Sequence, residues 1–347
     1  MFSSSQQSSV VPRPNVILSA AKNLSSGLKR RRASNLPCRA KRGICFFFLL
    51  VALAVIPVSS EPNRPKILGI ACVQIFYSDL VTAKDFYEKV GAMRANYTTS
   101  DLPEQDDARP ACNTVERFRR REEQVILIKY SASAPASHVG KIVFRVSHAK
   151  KLQRCLSAQG VQTLSAASAL GYFEIVDPGG QQIGFLQQSR KDGWNKDMLP
   201  ALPEVIHAGF IVHDRAATEH FYKDILGFRP YWHGGMKDDG KDDWVSLQVP
   251  DGTDWIELMV NVDANPDQQL RGIMNHIAIS VTDIHATEQR LKEAGLNLAE
   301  QPEIGRDGKW QLNVYDPDQT RIEFMEFKPV QKPCCSEFTA PHPRPKQ

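Results

Sequence analysis

Two histidines, His207 and His276, stand 69 residues apart, and each opens a segment of the same design. The first segment reads HAGFIVHDRAATEHFYK and the second HIAISVTDIHATEQRLK. Asp214 therefore matches Asp283, Ala217-Thr218-Glu219 matches Ala286-Thr287-Glu288, and Lys223 matches Lys292. Later in each half comes an Ile-Glu-apolar-Met run, which places Glu257 in the first and Glu323 in the second. Neutral imidazole and carboxylate are natural ligands of a divalent cation. A carboxylate among apolar strand residues is expensive to bury unless something offsets its charge. Any one of the four, alone, reads as a packed histidine or a solvent-facing glutamate. Four at equivalent places of an internal repeat form a matched ligand set.

The elements that must hold these residues follow from local pattern. Val205 to Val212 is β-rich, with His207, Gly209 and Ile211 on one face at period two. Asp214 stands where a helix N-cap belongs, the helical run reaches Leu226, and Gly227 is a C-terminal stop; Asp283 and Gly295 punctuate a second helix the same way. Turn signals at Pro250-Asp251-Gly252 and Asp316-Pro317-Asp318 precede the Glu-bearing strands. Each half reads βαβββ, and a pseudo-twofold pairing of the halves carries two His and two Glu to one point. A longer repeat surrounds this one. Phe86-Tyr87 matches Phe221-Tyr222, and Leu156 and Gly160 match Leu291 and Gly295, at an offset of 135. Asp177-Pro178 matches Asp316-Pro317 at an offset of 139. The sequence thus predicts two related domains, 66–188 and 203–328, joined by a polar linker over 189–202.

The strand NHIAISV, the helix end KEAGL and the run VYDPDQTRIEFME resemble the vicinal oxygen chelate (VOC) superfamily. That superfamily includes lactoylglutathione lyase (glyoxalase I), methylmalonyl-CoA epimerase, fosfomycin and bleomycin resistance proteins and extradiol dioxygenases. The resemblance implies an α+β fold of tandem VOC domains, each of two βαβββ modules forming a curved mixed sheet that cups a metal site. It makes His207, Glu257, His276 and Glu323 the metal ligands, from the first, fourth, fifth and last strands of the second domain. The first domain departs from the pattern. Cys72 stands for His207, Lys141 for His276 and Gly184 for Glu323, while Glu257 falls near Leu127, with Glu122 and Glu123 close by.

Four protein ligands leave two open positions on an octahedral ion, which suits proton transfer with the metal stabilising an enediolate. By resemblance to glyoxalase I, Glu323 is the expected base and Glu257 the alternative. The expected activity is a glyoxalase-type isomerase or lyase acting on a small α-hydroxycarbonyl or thiol-adduct substrate, with Zn, Ni or Co as the metal. No glutathione-binding residues are identifiable. An extradiol dioxygenase using Fe(II) is the alternative; it would need a second-shell acid–base histidine, for which His233 is the only loose candidate. A third reading is a small-molecule binding or resistance module, with Trp232, Trp244, Trp255 and Trp310 lining a pocket.

Charge is uneven along the chain. Residues 1–60 hold nine Lys/Arg and no Asp or Glu, which leaves 34 basic against 39 acidic residues in 61–347. The body is mildly acidic, and no nucleic-acid partner is expected. The basic leader precedes an apolar run, Ile44 to Ile56, and Val58-Ser59-Ser60 forms a small-residue cleavage site before Glu61. Export without stable membrane association is expected, and an uncleaved N-terminal anchor is the alternative. Five of the seven cysteines follow Ser60, too few and too irregular for a disulfide framework; export permits one bridge, which cannot be assigned. Adjacent Cys334 and Cys335 lie in a Pro-rich tail, 329–347, that reads as disordered. A small-molecule substrate is the expected partner, and a homodimer is left open.

Overall fold

The computed structural model describes residues 204–345 and residues 64–187, the latter apart from 92, 95–115, 122–123, 131–137 and 170. The leader, the linker, Cys112, Glu122 and Glu123 lie outside the described residues. The first sheet is built from β1 (Ile67–Tyr77), α1 (Leu80–Lys89), β2 (Met93–Arg94), β3 (Glu116–Arg121), β4 (Gln124–Tyr130), β5 (Val139–Val146), α2 (Ala149–Ala158), β6 (Tyr172–Val176) and β7 (Gln182–Gln187). Its strand order is β2-β3-β4-β1-β5-β7-β6. An isolated bridge between Thr163 and Ile175 stands beside β6, where an eighth strand would lie.

The second sheet is a complete pair of βαβββ modules. One comprises β8 (Val205–Ile211), α3 (Arg215–His220), β9 (Arg229–Gly234), β10 (Trp244–Gln248) and β11 (Trp255–Met259). After a short helix, α4 (Gln268–Met274), the other comprises β12 (His276–Val281), α5 (Ile284–Glu293), β13 (Glu303–Ile304), β14 (Trp310–Tyr315) and β15 (Arg321–Glu326). The order β13-β14-β15-β12-β8-β11-β10-β9 is a palindrome of modules about the antiparallel β8–β12 pair. β8 and β12 are buried almost throughout, as central strands must be. Asp214 and Asp283 cap their helices, accepting from the amides of Ala217 at 3.0 Å and Ala286 at 2.9 Å. The first of these helices continues into a π-helical turn, Phe221–Ile225, and stops at Gly227, whose φ of 77° favours glycine.

Register makes the relation between the sheets residue-specific. In the second sheet His207 pairs with Ala278 and Ala278 with Glu323, while Gly209 pairs with His276 and with Glu257. In the first, Cys72 pairs with Val143 and Val143 with Gly184, while Gln74 pairs with Lys141 and with Leu127. Cys72, Leu127, Lys141 and Gly184 thus hold the backbone positions of the four candidate ligands.

The two sheets share one apolar core, in which Phe144 and Phe228 meet edge to face at 5.5 Å. The repeated Phe-Tyr and Asp-Pro pairs are the reciprocal fastening between them. Tyr87 donates to Asp316 Oδ2 at 3.1 Å, and Tyr222 donates to Asp177 Oδ2 at 3.0 Å. Each half therefore gives one tyrosine and receives one, and all four side chains are buried. Burial raises the Asp177 carboxyl and pushes that of Asp316 up to about 7.

The tail corrects an expectation. Residues 329–345 are not disordered but form a strap across the β13–β14 turn and β9. Val330 N bonds Gly308 O, Cys334 N bonds Arg306 O, and Thr339 N bonds Tyr231 O, all at 2.8–3.0 Å. Phe338 packs on the Tyr231 ring at 4.8 Å, and His342 Nδ1 meets the Tyr231 hydroxyl at 2.8 Å. Backbone pairing and one aromatic anchor supply what a Pro-rich composition does not advertise. Cys334 and Cys335 are joined in a disulfide within this strap, and Cys72 is disulfide-bonded as well. No helix among the described residues is long and apolar enough to cross a membrane.

Candidate metal centre

The four candidate side chains project from β8, β11, β12 and β15 to one place on the second sheet. His207 Nε2 lies 3.0 Å from His276 Nε2 and 3.4 Å from Glu323 Oε2; His276 Nε2 lies 3.7 Å from Glu323 Oε2 and 3.4 Å from Glu257 Oε2. Ligands at ~2.1 Å from one ion are separated by roughly 3.0–3.4 Å, so this spacing is that of a coordination sphere. His207, His276 and Glu323 form the tight trio, with ligating atoms all within 4.8 Å of one another. Glu257 joins through His276 and also accepts from the Ser246 hydroxyl at 3.3 Å.

Neighbours fix the imidazoles. His276 Nδ1 faces Met274 O at 3.3 Å, and its Nε2 accepts from Arg321 Nη2 at 2.8 Å. The ring therefore carries its proton on Nδ1 and turns its lone pair inward, the tautomer a metal ligand needs. His207 packs on Trp255 at 4.7 Å, and its Nδ1 is buried without a partner. Gly209, opposite His276, has no room for a side chain, because an added Cβ would fall inside the His276 imidazole.

Burial acts to raise the Glu257 carboxyl, but its polar neighbours His276, His207 and Arg321 override it and hold the group at about 2. Burial likewise opposes the lowered Glu323, which the His207 hydrogen bond and the Arg321 charge bring down. Burial and the Arg321 charge push His276 down to about 4. Near neutrality the metal-free centre thus combines two carboxylates with a neutral His276. Two imidazoles and two carboxylates converging in a buried site fit a divalent cation.

A cavity of about 90 Å³ opens beside Glu257 and Glu323. Trp232, Trp244 and Trp255 line it, joined by Tyr231 and by Phe338 of the strap. Lys309 is buried in its wall, with Nζ 4.5 Å from the Trp255 ring centre, 4.9 Å from Phe338 and 5.0 Å from Tyr231. Burial pushes the Lys309 ammonium down, against the pull of Asp307 at 3.4 Å.

Sequence reasoning missed Arg321, Lys309 and the strap. Arg321 lies two residues before Glu323 on the same strand, so period two alone places it on the ligand face. No comparable signal marks Lys309. Two candidates do not reach the site. His233 is exposed and bonds Asp242 at 2.7 Å, and Trp310 meets His285 edge to face at 5.0 Å.

The first sheet has closed its counterpart. Lys141 forms an ion pair with Glu174, which also accepts from the Tyr172 hydroxyl. The Tyr172 ring abuts Gly184, leaving no space there for a glutamate. An internal ammonium–carboxylate pair occupies the region where the second domain gathers its ligands.

Comparison with known proteins agrees with this architecture. The family model of the Glyoxalase/Bleomycin resistance protein/Dioxygenase superfamily matches residues 204–324. A lactoylglutathione lyase of Haemophilus influenzae is 29% identical over 127 residues, which is 36% of this chain and 93% of that protein. Among solved structures, a catechol 2,3-dioxygenase superposes with a TM-score of 0.55 at 15% identity, covering 78% of this chain and 92% of the other. The 2,3-dioxygenase LapB from Pseudomonas sp. KL28 gives 0.55 at 16% identity, covering 81% and 95%. These likenesses at low identity establish the fold. Over residues 204–324, with their paired βαβββ modules, the chain is thus similar to the glyoxalase/bleomycin resistance protein/dioxygenase (VOC) superfamily.

Proposed function

We propose that the second domain is a divalent-metal-dependent isomerase or lyase of the glyoxalase type, acting on a small α-hydroxycarbonyl compound or its thiol adduct. His207, His276, Glu323 and Glu257 would hold the metal, with Zn, Ni or Co as the expected ion. When bound, the cation supplies the positive charge that stabilises an enediolate. Glu257 carries the reading. It stands outside the tight trio, borders the cavity and is steadied by Ser246, which supports a role in taking and returning a substrate proton. Glu323, packed against both imidazoles, is better held as a ligand, which reverses the order of preference drawn from resemblance alone. The aromatic wall orients the substrate and excludes water. The leader supports export, and the Cys334–Cys335 disulfide suits an oxidising compartment, where thiol adducts are scarce.

The His207–His276–Glu323 trio by itself is also a two-histidine-one-carboxylate face, which favours an Fe(II) extradiol dioxygenase as the second reading. Metal analysis of chelator-free full-length protein, with deuterium exchange into hydroxyacetone, separates the two. Stoichiometric Zn, Ni or Co is expected in the wild type and in Glu257→Gln, and absent from a His276→Ala/Glu323→Ala variant. Exchange should fall by two orders of magnitude or more in Glu257→Gln. Bound iron with catechol-dependent oxygen uptake would select the second reading, and a wild type without metal would end both.

A further inference from the structure

Arg321 enters the cavity from β15, on the face that bears Glu323. Its Nη2 donates to His276 Nε2 at 2.8 Å, while its Nε is buried without a hydrogen-bond partner. No ion pair among the described residues includes it. The other cations of the cavity are already engaged: Lys309 lies 3.4 Å from Asp307 within its aromatic enclosure, and Arg306 is held by Asp238 and by Gly235 O at 3.1 Å.

An imidazole nitrogen offers one lone pair. If His276 Nε2 gives that pair to a cation, Arg321 loses the one acceptor it has among the described residues. A guanidinium cannot shed its charge, and a divalent ion beside it adds repulsion. Both conditions are met by an anion placed between them. The planar fork of donors on Arg321 matches the two oxygens of a carboxylate.

We propose that Arg321 is the substrate's carboxylate anchor, and that the substrate is an α-hydroxy or α-keto carboxylate. A carboxylate oxygen and the oxygen on the neighbouring carbon would face the cation, and the outer edge of the carboxylate would face Arg321. Trp232 and Trp244, stacked at 6.4 Å, then offer a flat apolar wall to the remaining substituent. This assignment narrows the substrate class of the proposed function and rests on that reading.

Calorimetric titration of the full-length protein tests it, using mandelate and 2-hydroxyacetophenone as probes. The second keeps the ring and the α-hydroxycarbonyl unit but lacks the carboxylate. Metal content and metal affinity by chelator competition are measured first on wild type, Arg321→Met and Arg321→Lys. Arg321→Met should hold metal at least as tightly as wild type, because the competitor for the His276 lone pair is gone. Mandelate should bind metal-loaded wild type and bind Arg321→Met about tenfold or more weakly, with part of the loss recovered in Arg321→Lys. Affinity for 2-hydroxyacetophenone should not change. Equal mandelate affinity in two metal-loaded proteins would overturn the anchor and leave the metal reading standing. Loss of metal from Arg321→Met would make the residue a support of the centre and overturn it too. A wild type that takes no metal would bring down the metal reading and the anchor together.

Discussion

The imidazole of His276 occupies the space in which a side chain at position 209 would stand. Gly209→Ala is therefore expected to displace His276 and abolish stoichiometric metal binding, with the fold retained by circular dichroism. At the equivalent place in the other half, Ala278 already carries a methyl group beside His207, so Ala278→Gly should leave metal content unchanged. The same residue scale sets a pH dependence. His276 is held at about 4 in the folded metal-free protein, against an ordinary value of 6.5. Between these values the unfolded chain binds the extra proton, so stability rises with pH from 4 to 6.5 and levels off above. Glu257, at about 2 instead of 4.5, contributes stability that is complete above 4.5 and lost as pH falls through 2. Thermal melting of the metal-free protein should show the upper slope, and His276→Asn should flatten it. The four candidate ligands were legible because each half of the repeat carries one His and one Glu at matching places. Arg321 and Lys309 occur once each, and a single cation in a strand or turn carries no such mark.

At the scale of elements, the βαβββ order could be read from period-two strands, Asp caps and Gly stops. The strap could not. Residues 329–345 have neither helical nor strand periodicity, and their order comes from bonds to the β13–β14 turn and to the edge strand β9, which exist only once the sheet has formed. Deletion of 329–347 should expose Tyr231 and the Lys309 enclosure, raising dye binding at the cavity and lowering the melting temperature. Phe338→Ala should reproduce part of this, at about 1–2 kcal/mol for one half-buried aromatic ring, measured by denaturant unfolding.

At the scale of the whole molecule, the Phe-Tyr and Asp-Pro pairs gave away the duplication without revealing their purpose, since reciprocity needs two domains face to face. Tyr87→Phe and Tyr222→Phe should each cost about 1–2 kcal/mol in equilibrium unfolding, with each change leaving a buried aspartate short of a donor. Two free copies of a single such domain could clasp each other through the same pair of Tyr–Asp bonds, related by a twofold axis. Here both clasps are closed within one polypeptide, so its two halves are in effect a dimer already tied.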